Sequence, residues 1–347
     1  MTDQRVSKIC RTLKEMDYDI LLIGRKNYSQ HILNRDYSTK RMRMLFNRGF
    51  LFYAELNIRL FFVLLFTKKD MLFSNDLDTL LPNYLVSKFQ GKELIFDSHE
   101  LFSEIPELEN RKFVKSFWLG IERRILPKLK KVITVSDSIK KHYEERYGIN
   151  VTVVRNLPVV KNVTPKKFPF SIKGKKVLLY QGSVNVGRGL ELMIDAMEYL
   201  EDCILVIIGS GDILEQLEQK VLVEGLENKV KFVGRVLPKE LKYLTPNATI
   251  GLSLEEDLGL NYRYSLPNKI FDYIQAEVPV IVSDLPDMAS LVEKYQVGKI
   301  LYHRFPKDLA KSIKELSPEN YTEALKKAKK ELTWTIEKRA LQELLTS

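Results

Sequence analysis

Cysteine is nearly missing from these 347 residues: Cys10 and Cys203 are the only two. Two isolated thiols build no disulfide framework, so the chain must rest on hydrophobic cores, and a reducing, cytoplasmic compartment is expected. A long unbroken apolar run is also missing. The most apolar window, Leu51 to Phe66, is interrupted by Glu55, Asn57 and Arg59 and reads as too short and too polar to span a bilayer. The N-terminus is polar and soon enters a helix-like pattern, which is not how a signal peptide begins. There is no G-x-G-x-x-G, no P-loop, no short repeat and no low-complexity tract, so no standard nucleotide motif applies. Histidine is scarce at four, and His31, His142 and His303 read as surface or loop residues.

Hydrophobic residues make up 45% of the chain, and the length suits two domains with a core each. The net charge of +10 is unevenly placed: residues 1–160 hold 28 Lys/Arg against 19 Asp/Glu (+9), and residues 161–347 hold 27 against 26 (+1). The basic half expects something anionic, and the near-neutral half a small-molecule pocket. No nucleic-acid recognition motif accompanies the basic half, so nucleic acid is not an expected partner.

Strands alternate with helices throughout, which means parallel α/β sheets. In the first half a helix over Asp3–Met16, with Val6, Ile9, Cys10, Leu13 and Met16 at helical spacing, precedes a buried strand at 19–24. A basic stretch over 25–48 (seven Lys/Arg against Asp36) and an aromatic-rich helix over 49–66 follow. Strands are expected at 71–74, 94–97, 132–135 and 151–154. Residues 161–176, with Pro165, Pro169, Gly174 and six lysines, read as an exposed interdomain linker. The second half alternates again from Val177 onward.

Chemistry gathers at strand ends. In Ser265-Leu266-Pro267-Asn268-Lys269, Pro267 suits a first helical turn and Ser265 an N-cap, so unpaired N–H groups would face a phosphate. Lys269 would add a full positive charge there, and Asp272, one turn on, could accept bonds from a ribose diol. The loop Gln181–Gly189, with Gly182, Ser183, Gly187, Arg188 and Gly189, follows a strand and would let backbone N–H groups approach phosphates. Gly209-Ser210-Gly211 reads as a structural turn, and Gly234-Arg235 lies where a base could stack or pair with backbone, a simple turn being the equal alternative. Asp76-Leu77-Asp78 looks like a metal-binding D-x-D. A metal needs several converging oxygens, however, and Asp76 is more simply an N-cap, so no metal is expected. His99, beside Glu100 at a strand's C-terminal end, sits where open α/β sheets bind ligands.

The paired α/β halves, the Asp97-Ser98-His99-Glu100 box, the strand end at Arg155-Asn156 and the run Ser265 to Asp284 resemble the group 1 (family 4) retaining glycosyltransferases of the GT-B type. The resemblance implies two Rossmann-like α/β/α domains facing across a cleft. Residues 1–160, with the helix 333–347 returning to them, would bind the acceptor, and residues 168–332 a nucleotide sugar. It implies metal-independent transfer from a UDP- or GDP-linked donor to a hydroxyl of a glycan or lipid-linked acceptor, of the kind used in polysaccharide biosynthesis. His99 would position the sugar, with Glu100 beside it. No cofactor is implied, since the nucleotide sugar is the substrate. A peripheral position on an anionic inner membrane face fits the basic half.

Three departures stand out. Met1 falls on the segment that normally follows a first strand, so the N-terminal domain is expected to lack that strand. Of the family's two Glu separated by seven residues, the first slot holds Tyr264 and the second Asp272. The usual Arg and Lys near the diphosphate are not matched cleanly; Arg188 and Lys269 are candidates for their charge, with Arg263 a weaker one. The rival readings are a catalytically inactive sugar-nucleotide-binding scaffold and a sugar-nucleotide epimerase. The latter would need acid/base carboxylates that the sequence does not display.

Overall fold

A computed structural model describes residues 3–26, 35–109, 111–160, 163–172 and 174–346. His31, read above as a loop residue, lies outside them. The chain divides into two units, Met1–Asn156 with Lys338–Ser347, and Leu157–Glu337. In the first, β3 (Met71–Asn75), β4 (Glu93–Ser98), β5 (Lys131–Thr134) and β6 (Val151–Val153) form a parallel sheet in that order. A separate two-stranded parallel sheet joins β1 (Leu21–Arg25) to β2 (Ser38–Met42). Among the described residues no strand precedes the helix Gln4–Glu15.

That helix is capped by Asp3, whose carboxylate accepts the N–H of Val6. Its buried face runs through Arg5, Ile9, Cys10 and Thr12, so the periodicity located the helix but not the arginine turned inward. β1, expected as a buried strand, is only half-buried because a two-stranded sheet leaves its flanks open. β2 was not expected at all: the basic stretch that holds it shows no apolar alternation, and its exposed residues Ser38, Thr39 and Lys40 explain why.

The second unit is a six-stranded parallel sheet, order β12-β11-β10-β7-β8-β9. The strands are β7 (Lys176–Gln181), β8 (Cys203–Ile208), β9 (Val230–Gly234), β10 (Ile250–Ser253), β11 (Val280–Ser283) and β12 (Gly298–Leu301). Side chains alternate between two cores. Leu178, Tyr180, Leu205 and Ile207 enter one face, and Val177, Leu179, Ile204, Val206 and Ile208 the other. Burial on both faces is what makes these strands read as continuous apolar runs. Part of the expected linker belongs to this unit: Phe168 is buried in its second core, stacked on Phe170 at 5.4 Å.

Candidate functional site

The sheet order of the second unit reverses at β7, where the chain builds β8 and β9 on one side before returning to lay β10 on the other. Such a switch point opens a crevice at the C-terminal strand ends, where open α/β sheets bind ligands. β7 runs there into Gln181–Gly189, and β10 into Leu254–Glu256. The loop is held in place by Gly189, at φ +70°, because a Cβ there would come within 2.1 Å of the Leu254 carbonyl oxygen. Gly182 and Ser183 are exposed at its tip.

Beneath the tip lies Lys269. Its Cε would be 3.5 Å from a Cβ on Gly182, and its Nζ sits over the Tyr180 ring at 4.1 Å. The ammonium is buried and donates to Oε1 of the fully buried Glu255 at 2.7 Å. Arg188 approaches the same oxygen at 3.7 Å, and its guanidinium lies over the Tyr262 ring at 5.0 Å. Burial opposes the charge on Glu255, but Lys269, with help from Arg188, prevails and holds the carboxyl below its usual range. Two cations thus share one carboxylate under the loop. Arg188 Nε is buried with no partner, a donor still to be satisfied.

Asp272 completes the group. Gln181 Nε2 donates to its Oδ2 at 3.1 Å, while Gln181 Oε1 accepts from Thr245 Oγ1 at 2.9 Å. The Tyr273 hydroxyl accepts the Gln181 N–H and donates to the Leu179 carbonyl, so the carboxylate is aimed by a chain of fixed groups.

Several sequence expectations change here. Lys269 is not a free cation, because Glu255 already balances it. Ser265 does not cap the helix: its Oγ donates to the Tyr262 carbonyl, and the helix Asn268–Gln275 starts with Pro267 at the cap position. Arg263 is bound to Asp257 at 2.7 and 2.9 Å. Leu266 packs on the core and Asn268 is exposed. Tyr264 is half-buried in the turn after a short helix, its N–H bonded to the Leu260 carbonyl. The Gly234 carbonyl accepts the Gly209 N–H, which ties the ends of β8 and β9 together, and Arg235 is exposed beside it. Glu255 and Gln181 were missed. Their signal was position alone, polar side chains at the ends of the two strands flanking the switch.

In the first unit, Arg5 and Asp97 are both buried, with bonds of 2.7–3.1 Å from the guanidinium to the carboxylate. A further Arg5 bond reaches the Val154 carbonyl. His99 lies between two acids: Nε2 is 3.0 Å from Asp97 Oδ2, and Nδ1 is 3.1 Å from Asp76 Oδ2. Burial works against its charge, yet Asp97 and Asp76 outweigh it and hold the imidazole protonated far above its usual range. With both N–H groups engaged, the ring has no lone pair to accept a proton. His99 can offer charge and position but not general-base chemistry.

Asp76 stands at the cap position of the helix Leu77–Gln90, but its side chain makes no cap bond. It accepts the His99 backbone N–H at 2.8 Å instead. Its φ of 59° with ψ of 166° is strained for a residue other than glycine, and strain of this kind gathers at functional sites. Burial, and then Asp76, push the nearby Asp78 carboxyl up to about 7. Glu100 is half-buried, and its carbonyl accepts from Ser98 Oγ at 2.8 Å.

With this geometry in place, comparison with known proteins gives a consistent answer. A model described as "Glycosyltransferase Family 4" matches residues 4–157, and one described as "Glycosyl transferases group 1" matches residues 163–332. The chain belongs to the group 1, family 4 glycosyltransferases. A curated relative of this glycosyltransferase, the "Uncharacterized glycosyltransferase MJ1607" of Methanocaldococcus jannaschii, is 27% identical over 200 residues, 52% of this chain. The match spans about half (48%) of that relative's length. Anabaena HepE, solved with UDP-glucose, aligns at TM-score 0.75 and 15% identity over 98% of this chain and 96% of its own. Sucrose-phosphate synthase of Thermosynechococcus elongatus aligns at TM-score 0.76 and 16% identity, over 96% and 89%. At those identities the likeness establishes the fold, which is GT-B.

Proposed function

We propose that this glycosyltransferase is retaining and metal-independent, and that it moves a hexosyl group from a UDP- or GDP-linked donor to a hydroxyl of a glycan or lipid-linked acceptor. The observation that carries the reading is the Lys269–Glu255–Arg188 group under the glycine loop, with Asp272 aimed beside it at the switch point. That HepE was solved with UDP and with UDP-glucose supports a nucleotide-sugar donor.

In this reading the diphosphate lies between the Gly182–Gly189 loop and the start of the helix Asn268–Gln275. Arg188 donates to it through the unsatisfied Nε, and Lys269 contributes field from below. Negative charge grows on the diphosphate as the glycosidic bond breaks. Preorganised cations and N–H groups stabilise that charge without having to reorganise. Asp272 accepts from the ribose diol. The acceptor hydroxyl attacks from the face the diphosphate leaves, and the imidazolium of His99 fixes the sugar, with Glu100 beside it. In the same reading the enzyme works at the cytoplasmic face of an anionic membrane, in polysaccharide biosynthesis, and the +9 charge of the first half supports the anionic surface.

Incubation with a panel of UDP- and GDP-sugars, with and without a lipid-linked acceptor, tests this. Acceptor-dependent release of one nucleoside diphosphate is expected, undiminished by excess EDTA, with the anomeric configuration retained. Activity that EDTA abolishes and Mg²⁺ restores would overturn the metal-independent account. Nucleotide binding without any release would identify an inactive scaffold.

A further inference from the structure

We infer that the first unit carries a built membrane-docking face on the helices Gly49–Phe66, Leu77–Gln90 and Lys112–Ile125, which enters the interface of an anionic bilayer without crossing it. This rests on the lipid-linked acceptor proposed above and names the surface that would reach it.

Against the expectation that its window is too short and too polar, the helix Gly49–Phe66 is long and apolar enough, by length and composition, to cross a membrane. The helix takes in all 18 residues, and only Glu55 and Arg59 are charged. It is nonetheless bound into the fold along one stripe. Phe52, Leu56, Leu60 and Leu64, four residues apart, are buried. Asn57 donates to the Asp78 carbonyl at 2.9 Å, and Tyr53 meets the Trp118 ring edge-on at 5.3 Å, tying this helix to its two neighbours. A second stripe, Leu51, Ile58, Phe62 and Phe66, faces outward, with Phe66 82% exposed. The helix is thus core along one stripe, with 22% of its residues buried, and half-buried or exposed elsewhere. A spanning segment would have to give up its packing and take Glu55 and Arg59 into hydrocarbon.

The exposed stripe is not isolated. Glu55 accepts the N–H groups of Leu45 and Phe46 at 2.9–3.0 Å, folding the preceding turn back and presenting Leu45, 77% exposed, beside it. The helix Leu77–Gln90 adds Leu85 and Phe89, one turn apart, and the helix Lys112–Ile125 adds Phe113 and Phe117 at the same spacing. Phe89 is 79% exposed and Phe113 84%. Single exposed apolar residues are ordinary, but exposed pairs and a stripe at helical spacing on three helices that pack together are what an interaction surface requires.

Charge selects the occupant. Exposed Arg43, Arg48, Arg59, Lys68, Lys88 and Lys112 punctuate these segments. Between Arg43 and Lys68 the one acid is Glu55, whose carboxylate is already bound by Arg59 at 2.6 Å and by the two N–H groups. Large apolar side chains ringed by cations suit the headgroup–acyl boundary of an anionic leaflet, where rings enter a few ångströms and cations stay with the phosphates.

The test is vesicle co-sedimentation of the full chain without donor or acceptor, so that its outcome is independent of transfer. Phosphatidylcholine vesicles with and without about one third phosphatidylglycerol are the probes. Binding to the anionic vesicles at least tenfold tighter than to the neutral ones is expected at low salt. A Phe62→Ser/Phe66→Ser/Phe89→Ser/Phe113→Ser variant is expected to lose at least tenfold of it, with unchanged thermal unfolding. An Arg43→Glu/Arg48→Glu/Lys68→Glu variant is expected to lose the preference for anionic lipid. Equal pelleting of wild type and the serine variant would overturn the proposal. So would absence of the wild type from both pellets. So would a dimer, seen by sedimentation equilibrium and dissociated by the same serines, in a protein that ignores vesicles.

Discussion

Replacing Arg5 with methionine is expected to destabilise the first unit by about 3–5 kcal/mol, the range for removing one partner of a buried ion pair. Asp97 is fully buried, and the guanidinium supplies three of its contacts. Burial raises the carboxyl's pKa, but Arg5 and then His99 overcome it, so the folded state holds Asp97 below its usual range. The sign follows. A depressed carboxyl contributes stability above its unfolded pKa of about 4 and loses it as pH falls below that value. Hydrogen exchange over β4 and β5, compared at pH 7 and pH 3, measures both effects. The wild type is expected to lose protection on acidification and the Arg5→Met chain to have lost it already at pH 7. Arg5→Met/Asp97→Asn should recover much of the difference, since no buried charge is then left alone. Equal protection in wild type and Arg5→Met would contradict the account.

The second large effect lies at the switch point. Lys269→Met strands Glu255 with only Arg188, 3.7 Å away and partly exposed, and is expected to cost the second unit about 3 kcal/mol. Adding Glu255→Gln should restore stability, because the amide keeps the Ser253 bond and loses the charge. The net local charge is unchanged in that double variant, so whatever loss of nucleotide affinity persists there measures the Lys269 ammonium itself. Denaturant unfolding of the two variants separates the structural part of Lys269 from its part in binding. If the single variant were as stable as wild type, the ion pair would not hold the strand end.

How much of this was legible in the sequence depends on the kind of signal. The strands of the second unit were readable because they are buried on both faces, giving runs such as Val280–Ser283 that admit few other readings. β2 was not, since a strand of a two-stranded sheet can carry Ser38, Thr39 and Lys40 outward with no apolar period. At the site, residue types that favour phosphate or ribose (Arg188, Lys269, Asp272) stood out. Their neutralising and aiming partners did not. Glu255 and Gln181 resemble any polar residue at a strand end until the sheet order shows that β7 and β10 are neighbours. Arg5 hid for a similar reason: helical spacing marks apolar faces, and a buried arginine needs an acid, Asp97, 92 residues away. Ser265 and Asp76 were read as caps from their types, yet Tyr262 and His99 offered them other partners.

The central claim is that a nucleoside diphosphate binds at the β7–β10 switch point and satisfies Arg188. Titration calorimetry of UDP and GDP into wild type and Arg188→Ala tests it most directly. The account predicts one-to-one binding of one of the two, weakened by about 1–3 kcal/mol in the variant, the worth of a charged hydrogen bond. Failure of both nucleotides to bind, or equal affinity in the two proteins, would contradict it.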